Sequence, residues 1–224
     1  GSLVGGVVVS SDIGSLASTD TEVAVDFTSA QAATENLLWC AEHGIHAVCG
    51  TTGIDEEGLA RLSDAFAPAD RPNAIVAPNF SVSAVAMMRL AEIAAPLFDS
   101  AEIIELHHNH KLDAPSGTSI ETARRIAGAR SESRAGGFAP DATRTLTLEG
   151  ARGATGAGEI AIHSVRLTGL VAHQEVIFGA EGQTLTLRQD TYDRSSFMPG
   201  VLLAVRKIAA TPGFTVGLDE LLEL

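Results

Sequence analysis

The residues best suited to chemistry lie within one segment of fourteen positions, residues 105–118. It contains three of the seven histidines of the chain, one lysine and two carboxylates. A histidine exchanges protons readily near neutral pH, and a nearby lysine lowers the pKa of a histidine and can bind an anion. Residues 115–118 lead into a predicted helix, whose free N–H groups and dipole also favour an anion. The segment therefore predicts acid–base chemistry on a small substrate that bears carboxylates.

Two predicted elements flank and position this segment. The short apolar run of Ile103, Ile104 and Leu106 predicts a strand over residues 101–106. Apolar residues at helical spacing predict a helix over residues 118–129, and Thr118 and Glu121 have the spacing of a capping box at its start. Loops at strand ends carry function in α/β proteins, so we expect a functional loop here.

The same segment has two other interpretations. In the first, the histidines only cap a strand end, and Ser-Gly-Thr is a turn followed by a helix cap; this stays open for any single residue. In the second, His107, His108 and His110 bind a metal. Their spacing differs from the His-x-x-x-His pair of helical zinc sites, and both cysteines lie far away in sequence, so we predict no metal.

The segment also carries a resemblance to a known family. The residues Glu-Leu-His-His-Asn-His-Lys-Leu-Asp-Ala-Pro-Ser-Gly-Thr are similar to the signature of the 4-hydroxy-tetrahydrodipicolinate reductase (dihydrodipicolinate reductase) family of bacterial and plant lysine biosynthesis. Residues 25–28, 50–53, 77–80 and 193–197 resemble further family segments in the same order. The resemblance extends from about residue 23 to the C-terminus.

The resemblance implies an enzyme that uses NADH or NADPH to reduce 4-hydroxy-tetrahydrodipicolinate to tetrahydrodipicolinate, on the route to diaminopimelate and lysine. It implies that His107 is the general acid and that Lys111 is a second proton-handling residue that also faces the substrate. It further implies substrate contacts from His108, Ser116, Gly117 and Thr118. Glu105 and Asp113 are interpreted as structural residues that orient the loop.

Cofactor contacts follow from the resemblance as well. The implied cofactor-binding residues are Phe27, Thr28, Gly50, Thr51, Thr52, Ala77, Pro78, Asn79, Phe80, Arg194 and Phe197. The glycine-rich dinucleotide fingerprint expected after a first strand is not found, because Gly5 and Gly6 are adjacent inside an apolar run. We therefore expect the first strand and phosphate loop of the nucleotide-binding fold to be missing. A truncated, non-catalytic fragment that keeps substrate-domain assembly is the alternative, and a different reductase on a related scaffold is another.

The order of predicted elements indicates an α/β fold with two domains. Strands at 3–10, 21–28, 45–49 and 74–77 and helices at 29–43 and 55–66 predict a Rossmann-like, doubly wound parallel sheet. A helix at 82–97 and strands at 144–148, 160–167, 172–178 and 184–189 predict an α+β substrate and tetramerisation domain with a mixed sheet. Residues 130–144 read as a loop, and 197–210 as a final helix. The predicted boundaries are 1–79 with 196–224 for the dinucleotide domain and 80–195 for the other.

Composition limits the possible partners. The 224 residues carry a formal charge of −13 and a pI near 4.8, which argues against nucleic acid or an anionic membrane surface. Cys40 and Cys49 show no disulfide or metal pattern, and no apolar run is long enough to span a membrane, so a cytoplasmic protein is expected. The resemblance implies a homotetramer that assembles through the mixed sheet.

Overall fold

The computed structural model describes residues 3–223, which divide into two compact units. One unit runs to Phe80 and includes Gly200–Leu222, and the other spans Ser81–Pro199. The strands are β1 Leu3–Val4, β2 Val7–Val8, β3 Val23–Asp26, β4 His46–Cys49, β5 Ala74–Val76, β6 Ser100–His107, β7 Ala154–Thr155, β8 Ala161–Arg166, β9 Ala172–Ala180, β10 Gln183–Thr191 and β11 Phe214–Val216. The α-helices are α1 Ala30–Glu42, α2 Glu56–Phe66, α3 Val82–Ala94, α4 Gly117–Ser133 and α5 Met198–Lys207.

The first unit is built on a parallel sheet with the strand order β11-β5-β4-β3. Ser29 caps the start of α1 by accepting a hydrogen bond from the Ala32 N–H. The helix ends at Glu42, and Gly44, whose φ of +73° favours glycine, follows the C-cap His43. Leu37 and Leu62, from α1 and α2, are buried in one apolar cluster with the sheet residues. The predicted parallel sheet with helices is thus confirmed.

Two features of this unit differ from the sequence-based expectation. The predicted strand at 3–10 is a small antiparallel hairpin of β1 and β2, turned by Gly5 and Gly6 at positive φ, and it pairs with no strand of the parallel sheet. The apolar run is too short on either side of the two glycines to continue as one strand. Strand β11 was not predicted, because its three residues have no pattern of their own.

The second unit is built on a mixed sheet with the strand order β10-β9-β6-β8-β7. Strand β6 runs parallel to β8 and antiparallel to β9. The helices α3 and α4 pack against each other and against the sheet, where Ile103, Val176 and Phe178 are fully buried. Alternate residues of each strand face these helices, so the residues between them lie on the opposite face.

Three expectations in this unit were wrong in detail. Residues 144–148 form no strand, because Leu146 and Leu148 are exposed and have no strand to pair with in the described chain. The helix predicted at 118–129 is α4, which begins at Gly117 and continues to Ser133. Its cap is Ser116, which accepts a hydrogen bond from the Ser119 N–H, and not Thr118.

No α-helix in residues 3–223 is both long and apolar enough to cross a membrane.

Candidate active site

The site is organised around the carboxylate of Glu105, which lies in β6 and is fully buried. Nδ1 of His107 lies 2.5 Å from Oε2 of Glu105, and the Arg166 guanidinium donates to both carboxylate oxygens at 2.8 Å. The backbone N–H of Ser116 donates to Oε1 at 3.2 Å. A buried charge is tolerated when it is paired and hydrogen-bonded, so these donors explain how the carboxylate remains ionised inside the protein.

The pKa values of Glu105 and His107 follow from this arrangement. Burial alone would raise the pKa of Glu105, but hydrogen bonds from Arg166, Ser164 and His107 outweigh it and hold the pKa below its usual range. Burial lowers the pKa of His107; Glu105 opposes this effect, and the charges of Lys111 and Arg166 reinforce it. Near neutral pH the site therefore contains an ionised carboxylate beside an imidazole that is mostly neutral.

Lys111 lies in the loop after β6, where its ammonium group is paired with an acid. Nζ donates to both carboxylate oxygens of Asp113, at 2.8 and 2.9 Å. The hydrogen bond from Lys111 holds the pKa of Asp113 below its usual range. Nη2 of Arg166 donates to the backbone oxygen of Asp113 at 2.7 Å, so the same arginine contacts both Glu105 and this loop.

The start of α4 contributes the other substrate residues predicted from sequence. Ser116 is buried, and its groups are already used within the protein: its N–H donates to Glu105, and its hydroxyl accepts from the Ser119 N–H at 3.2 Å. Gly117 is the first residue of the helix, and a Cβ added there would meet nothing within 4 Å. The space beside the Gly117 backbone is therefore open, as a helix N-terminus that receives an anion requires.

The remaining histidines of the segment lie further along the loop. The His108 N–H donates to the Val171 oxygen at 3.3 Å, and the His108 and His110 rings lie 6.2 Å apart. His110 is exposed. Residues 3–223 contain no group of three or more His, Cys, Asp or Glu side chains placed to bind a metal ion.

In the first unit, the predicted cofactor residues lie where parallel strands end. Asp26, the last residue of β3, is buried and connects two loops: it accepts from the N–H and hydroxyl of Thr28 and from the Thr51 hydroxyl, each at 2.9 Å. Asn36 of α1 donates to its other oxygen at 2.8 Å. These hydrogen bonds outweigh the effect of burial, which by itself raises the pKa, and hold the pKa of Asp26 below its usual range.

An exposed aromatic ring lies above these loops. The side chain of Phe27 is 53% exposed, and its ring centroid is 5.8 Å from that of Phe80. A Cβ at Gly50 would lie 2.1 Å from Cε1 of Phe27, so only glycine allows the ring this position. Ala77 and Phe80 are buried, whereas Thr52 and Pro78 are exposed and Asn79 is partly buried.

Two predicted cofactor residues belong to the second unit. Arg194 and Phe197 form a short 3₁₀ helix whose first turn is capped by Asp193, which accepts from the Ser195 N–H at 2.8 Å. Arg194 is exposed and Phe197 is partly buried. The structure thus brings together residues 107–118 in one unit and residues 27–28, 50–52 and 77–80 in the other.

Two residues central to these sites were missed from sequence. Arg166 is 61 residues from Glu105 and contacts it because β6 and β8 pair with His107 opposite Arg166. One signal was available: Arg166 follows Ile162 at even spacing, and a charge on the apolar phase of a strand requires a buried partner. Asp26 lies within the segment 25–28 that resembles the family, but no role was predicted for it, although an acid that ends a buried strand also requires a buried partner.

A parallel sheet with loops of polar residues at its strand ends, and a His-Lys cluster before a helix N-terminus, are features typical of an α/β enzyme. Residues 2–80 match the family model "Dihydrodipicolinate reductase, N-terminus", and residues 83–222 match "Dihydrodipicolinate reductase, C-terminus". The chain belongs to the dihydrodipicolinate reductase family. This membership makes it an oxidoreductase that depends on a pyridine nucleotide.

Individual relatives agree with the family models. The chain is 55% identical to a 4-hydroxy-tetrahydrodipicolinate reductase of Corynebacterium aurimucosum, over 91% of this chain and 81% of the relative. It is 56% identical to the enzyme of that name from Nocardia farcinica, over 92% and 82%. A dipicolinate-bound dihydrodipicolinate reductase from Paenisporosarcina sp. TG-14 superimposes with a TM-score of 0.84 at 41% identity, covering 94% of this chain and 77% of that structure.

Proposed function

We propose that this protein reduces 4-hydroxy-tetrahydrodipicolinate to tetrahydrodipicolinate with NADH or NADPH, as part of diaminopimelate and lysine biosynthesis. The observation that carries the proposal is the contact between the buried carboxylate of Glu105 and Nδ1 of His107. This contact occupies Nδ1 and leaves Nε2 of the imidazole for proton transfer. Relatives named for this reaction, at 50–56% identity, support it. Nothing in the comparisons favours a non-catalytic fragment.

The first unit is assigned to the cofactor. The exposed Phe27 ring offers a flat apolar surface, and the hydroxyls of Thr28 and Thr51 are fixed beside it by Asp26. These groups suit a nicotinamide ring and its ribose. Bound NADH or NADPH would supply the hydride, and the protein supplies position and charge. The remaining residues assigned to the cofactor are Gly50, Thr52, Ala77, Pro78, Asn79, Phe80, Arg194 and Phe197.

The second unit is assigned to the substrate and to proton transfer. The conversion removes the 4-hydroxyl group of the substrate as water and adds one hydride and one proton. Hydride addition leaves the substrate electron-rich, and the proton must then be delivered to it. His107 delivers this proton from Nε2, and a negatively charged substrate favours the protonated imidazole by offsetting the positive charge of Lys111. Lys111 must exchange at least part of its contact with Asp113 for the substrate, and it then serves as the second proton-handling group.

Substrate carboxylates are assigned to the loop and the start of α4. His108, Ser116, Gly117 and Thr118 are the proposed contacts, with the dicarboxylate chemistry supported by the dipicolinate-bound relative. The Ser116 N–H and hydroxyl are engaged within the protein in this conformation, so we expect a substrate carboxylate to approach the helix start through the open space beside the Gly117 backbone. Ser116 contributes by fixing the helix start.

Assembly and location are the remaining parts of the proposal. We assign a homotetramer that assembles through the mixed sheet. Its support is that α3 and α4 pack against the face that carries Ile103 and Val176, while half-exposed residues such as Glu175 lie on the other face. Both cysteines are free and buried, which suits a reducing cytoplasm.

The proposed function is tested by replacing the general acid. One general acid contributes about 10²–10⁴-fold to a rate, so His107→Gln should lower kcat by that order while the substrate KM and the far-UV circular dichroism change little. The measurement is initial-rate oxidation of NADH and of NADPH with enzymatically generated substrate. A fluorescence titration of the same protein with each nucleotide measures cofactor binding directly.

His110→Gln is the matched control, because it makes the same substitution three residues away at an exposed histidine to which no role is assigned. It should retain the kcat of the wild type. If His107→Gln also retained that kcat, the assignment of the general acid would be wrong. Absence of both turnover and nucleotide binding in the wild type would instead favour the non-catalytic alternative.

A further inference from the structure

The ion pair of Glu105 and Arg166 is a feature of the site that the proposed reaction does not by itself explain. We propose that this pair positions His107 for proton transfer, by fixing hydrogen on Nδ1 and by connecting the imidazole to both the lysine loop and the start of α4. Neither residue touches the substrate in this proposal. The inference rests on the proposed function, because it concerns how the general acid of that reaction is kept ready.

The tautomer of His107 follows from the charge of its neighbour. An ionised carboxylate only accepts hydrogen bonds, so Nδ1 of His107 must be the donor across the 2.5 Å contact. The two guanidinium hydrogen bonds to Glu105 keep that carboxylate ionised although it is fully buried. In the neutral imidazole Nε2 then carries no hydrogen, and it is the nitrogen that gains and delivers the transferred proton. A neutral side chain at position 105 would not impose this choice.

The same pair connects three parts of the site. Oε1 of Glu105 accepts from the Ser116 N–H at the start of α4, while Oε2 accepts from His107 at the end of β6. Nη2 of Arg166 donates to the backbone oxygen of Asp113, whose carboxylate binds Lys111. A shift of the carboxylate would therefore disturb the imidazole, the lysine and the anion-binding helix start together.

A purely structural role explains these contacts less well. Buried ion pairs are weak evidence for stability, because apolar side chains of similar volume often stabilise a core as well or better. Every hydrogen bond described for Glu105 goes to a residue of the active-site loop, to Arg166 or to neighbouring Ser164. The contacts of Glu105 are thus concentrated at the groups that the proposed reaction uses.

The experiment compares Glu105→Gln and the double variant Glu105→Gln/Arg166→Met with wild type. The double variant removes both charges at once, so it avoids leaving a buried guanidinium without its partner. Glu102→Gln is the matched control. Glu102 lies in β6 like Glu105, and it also binds a histidine, His163 of β8, but on the other face of the sheet. Oligomeric mass and circular dichroism are checked for every variant.

The first readout is the tautomer of His107 in the ligand-free protein. Nitrogen-15 NMR of protein labelled at histidine distinguishes a protonated Nδ1 from a protonated Nε2, and the His107 signals are assigned as those absent from His107→Gln. Wild type and Glu102→Gln should show hydrogen on Nδ1. Both Glu105 variants should show the two tautomers mixed. This readout needs no substrate, so it can fail or succeed independently of the proposed reaction.

The second readout is the pH profile of kcat. The groups that face His107 are Glu105, Lys111 and Arg166, and of these only Glu105 stabilises the imidazolium. Turnover that needs a protonated His107 falls as the pH rises through the pKa of that residue. In Glu105→Gln this falling limb should move to lower pH, and kcat at neutral pH should drop about 10- to 100-fold, within the range for general acid catalysis. The substrate KM should change less.

Three results would overturn the proposal. An unchanged tautomer with an unmoved pH limb would show that position 105 does not control the imidazole, and the reductase function would still stand. A shift of equal size in Glu102→Gln would show a general electrostatic effect. Loss of the fold in both Glu105 variants would assign the pair to stability alone.

Discussion

Strand β6 carries two glutamates that each bind one histidine and one arginine, on opposite faces of the mixed sheet. Glu105 binds His107 and Arg166, whereas Glu102 binds His163 and Arg152. Their positions differ by three residues, and successive side chains of a strand alternate between faces, so the two clusters cannot share a face. The same three residue types thus occur in one strand in two environments.

Burial is what separates the two clusters. The side chain of Glu105 is 0% exposed and that of Glu102 is 37% exposed. Arg166 donates one hydrogen bond to each carboxylate oxygen of Glu105, whereas Arg152 contacts two different carboxylates, those of Glu102 and Asp141. Since water screens exposed charges, the outer cluster gives a weak and adaptable contact, and the inner cluster gives a fixed one. Proton transfer needs the fixed one.

The largest expected effect is on stability when the inner arginine alone is removed. Arg166→Met leaves the buried Glu105 carboxylate without its main partner, and breaking a buried pair in this way costs roughly 3–5 kcal/mol. The free energy of unfolding from a urea titration should fall by about that amount. Adding Glu105→Gln to the same chain should recover part of the loss.

The matched change in the outer cluster is Arg152→Met, which should leave the unfolding midpoint almost unchanged because its partners are half exposed. Equal losses from the two arginine substitutions would contradict the role given to burial. So would a double variant, Glu105→Gln/Arg166→Met, that is less stable than Arg166→Met alone.

A smaller effect is expected in the pH dependence of stability. The pKa of Glu105 in the folded protein lies below its ordinary value of 4.5. Its contribution to stability is therefore complete above about that value, and it is lost as the pH falls through the lower folded-state pKa. Wild type should lose stability over this acid range faster than Glu105→Gln/Arg166→Met, when unfolding is measured in urea at pH values between neutral and acid.

Glu102→Gln should reduce the dependence of stability on pH less than the double variant does. Burial raises the pKa of Glu102, but hydrogen bonds from Arg152 and His163 outweigh this effect and lower it. Solvent reduces the energy of that pair. Other carboxylates with a lowered pKa, such as Asp26 and Asp190, are present in every variant, so their contributions cancel when two variants are compared. Identical slopes for wild type and the double variant would show that folding does not lower the pKa of Glu105.

The comparison also shows what sequence predicts well. Strand and helix periodicity predicted the parallel sheet, the mixed sheet and the position of the loop after β6, because these features depend on short-range patterns of apolar residues. The segment from Glu105 to Thr118 was found for the same reason: its residue types lie close together in the chain. The assigned roles of His107 and Lys111 remain predictions that the kinetic variants test.

Features that depend on pairing between distant segments were missed. Arg166 joins the site only through the register of β6 against β8, and no local pattern specifies which residue lies opposite His107. The alternating leucines of residues 144–148 predicted a strand, but alternation specifies a face and does not supply a neighbouring strand. The helix cap is Ser116 and not Thr118, and the Glu121 carboxylate of the expected capping box binds Arg124 and Arg125.

The smallest expected effect is local and concerns the irregular segment, residues 139–152, that Arg152 connects to the mixed sheet. Arg152 binds both Glu102 of β6 and Asp141 in the irregular segment before β7, and the Ala139 N–H donates to the Asp99 oxygen nearby. Arg152→Gln removes the charged contacts and keeps the side-chain length similar. Hydrogen exchange followed by mass spectrometry should show faster exchange in peptides covering residues 139–152, with kcat unchanged.

The outer cluster then differs from the inner one in a second way, because it stabilises one irregular segment without affecting proton transfer. Arg152→Lys should give intermediate exchange, since it keeps a charge but loses the fork that contacts two carboxylates at once. Faster exchange in peptides around His107, or a fall in kcat as large as that expected for Glu105→Gln, would show that the two faces of β6 are coupled. Glu102→Gln could then no longer serve as the control variant, and a residue outside β6 would be needed for it.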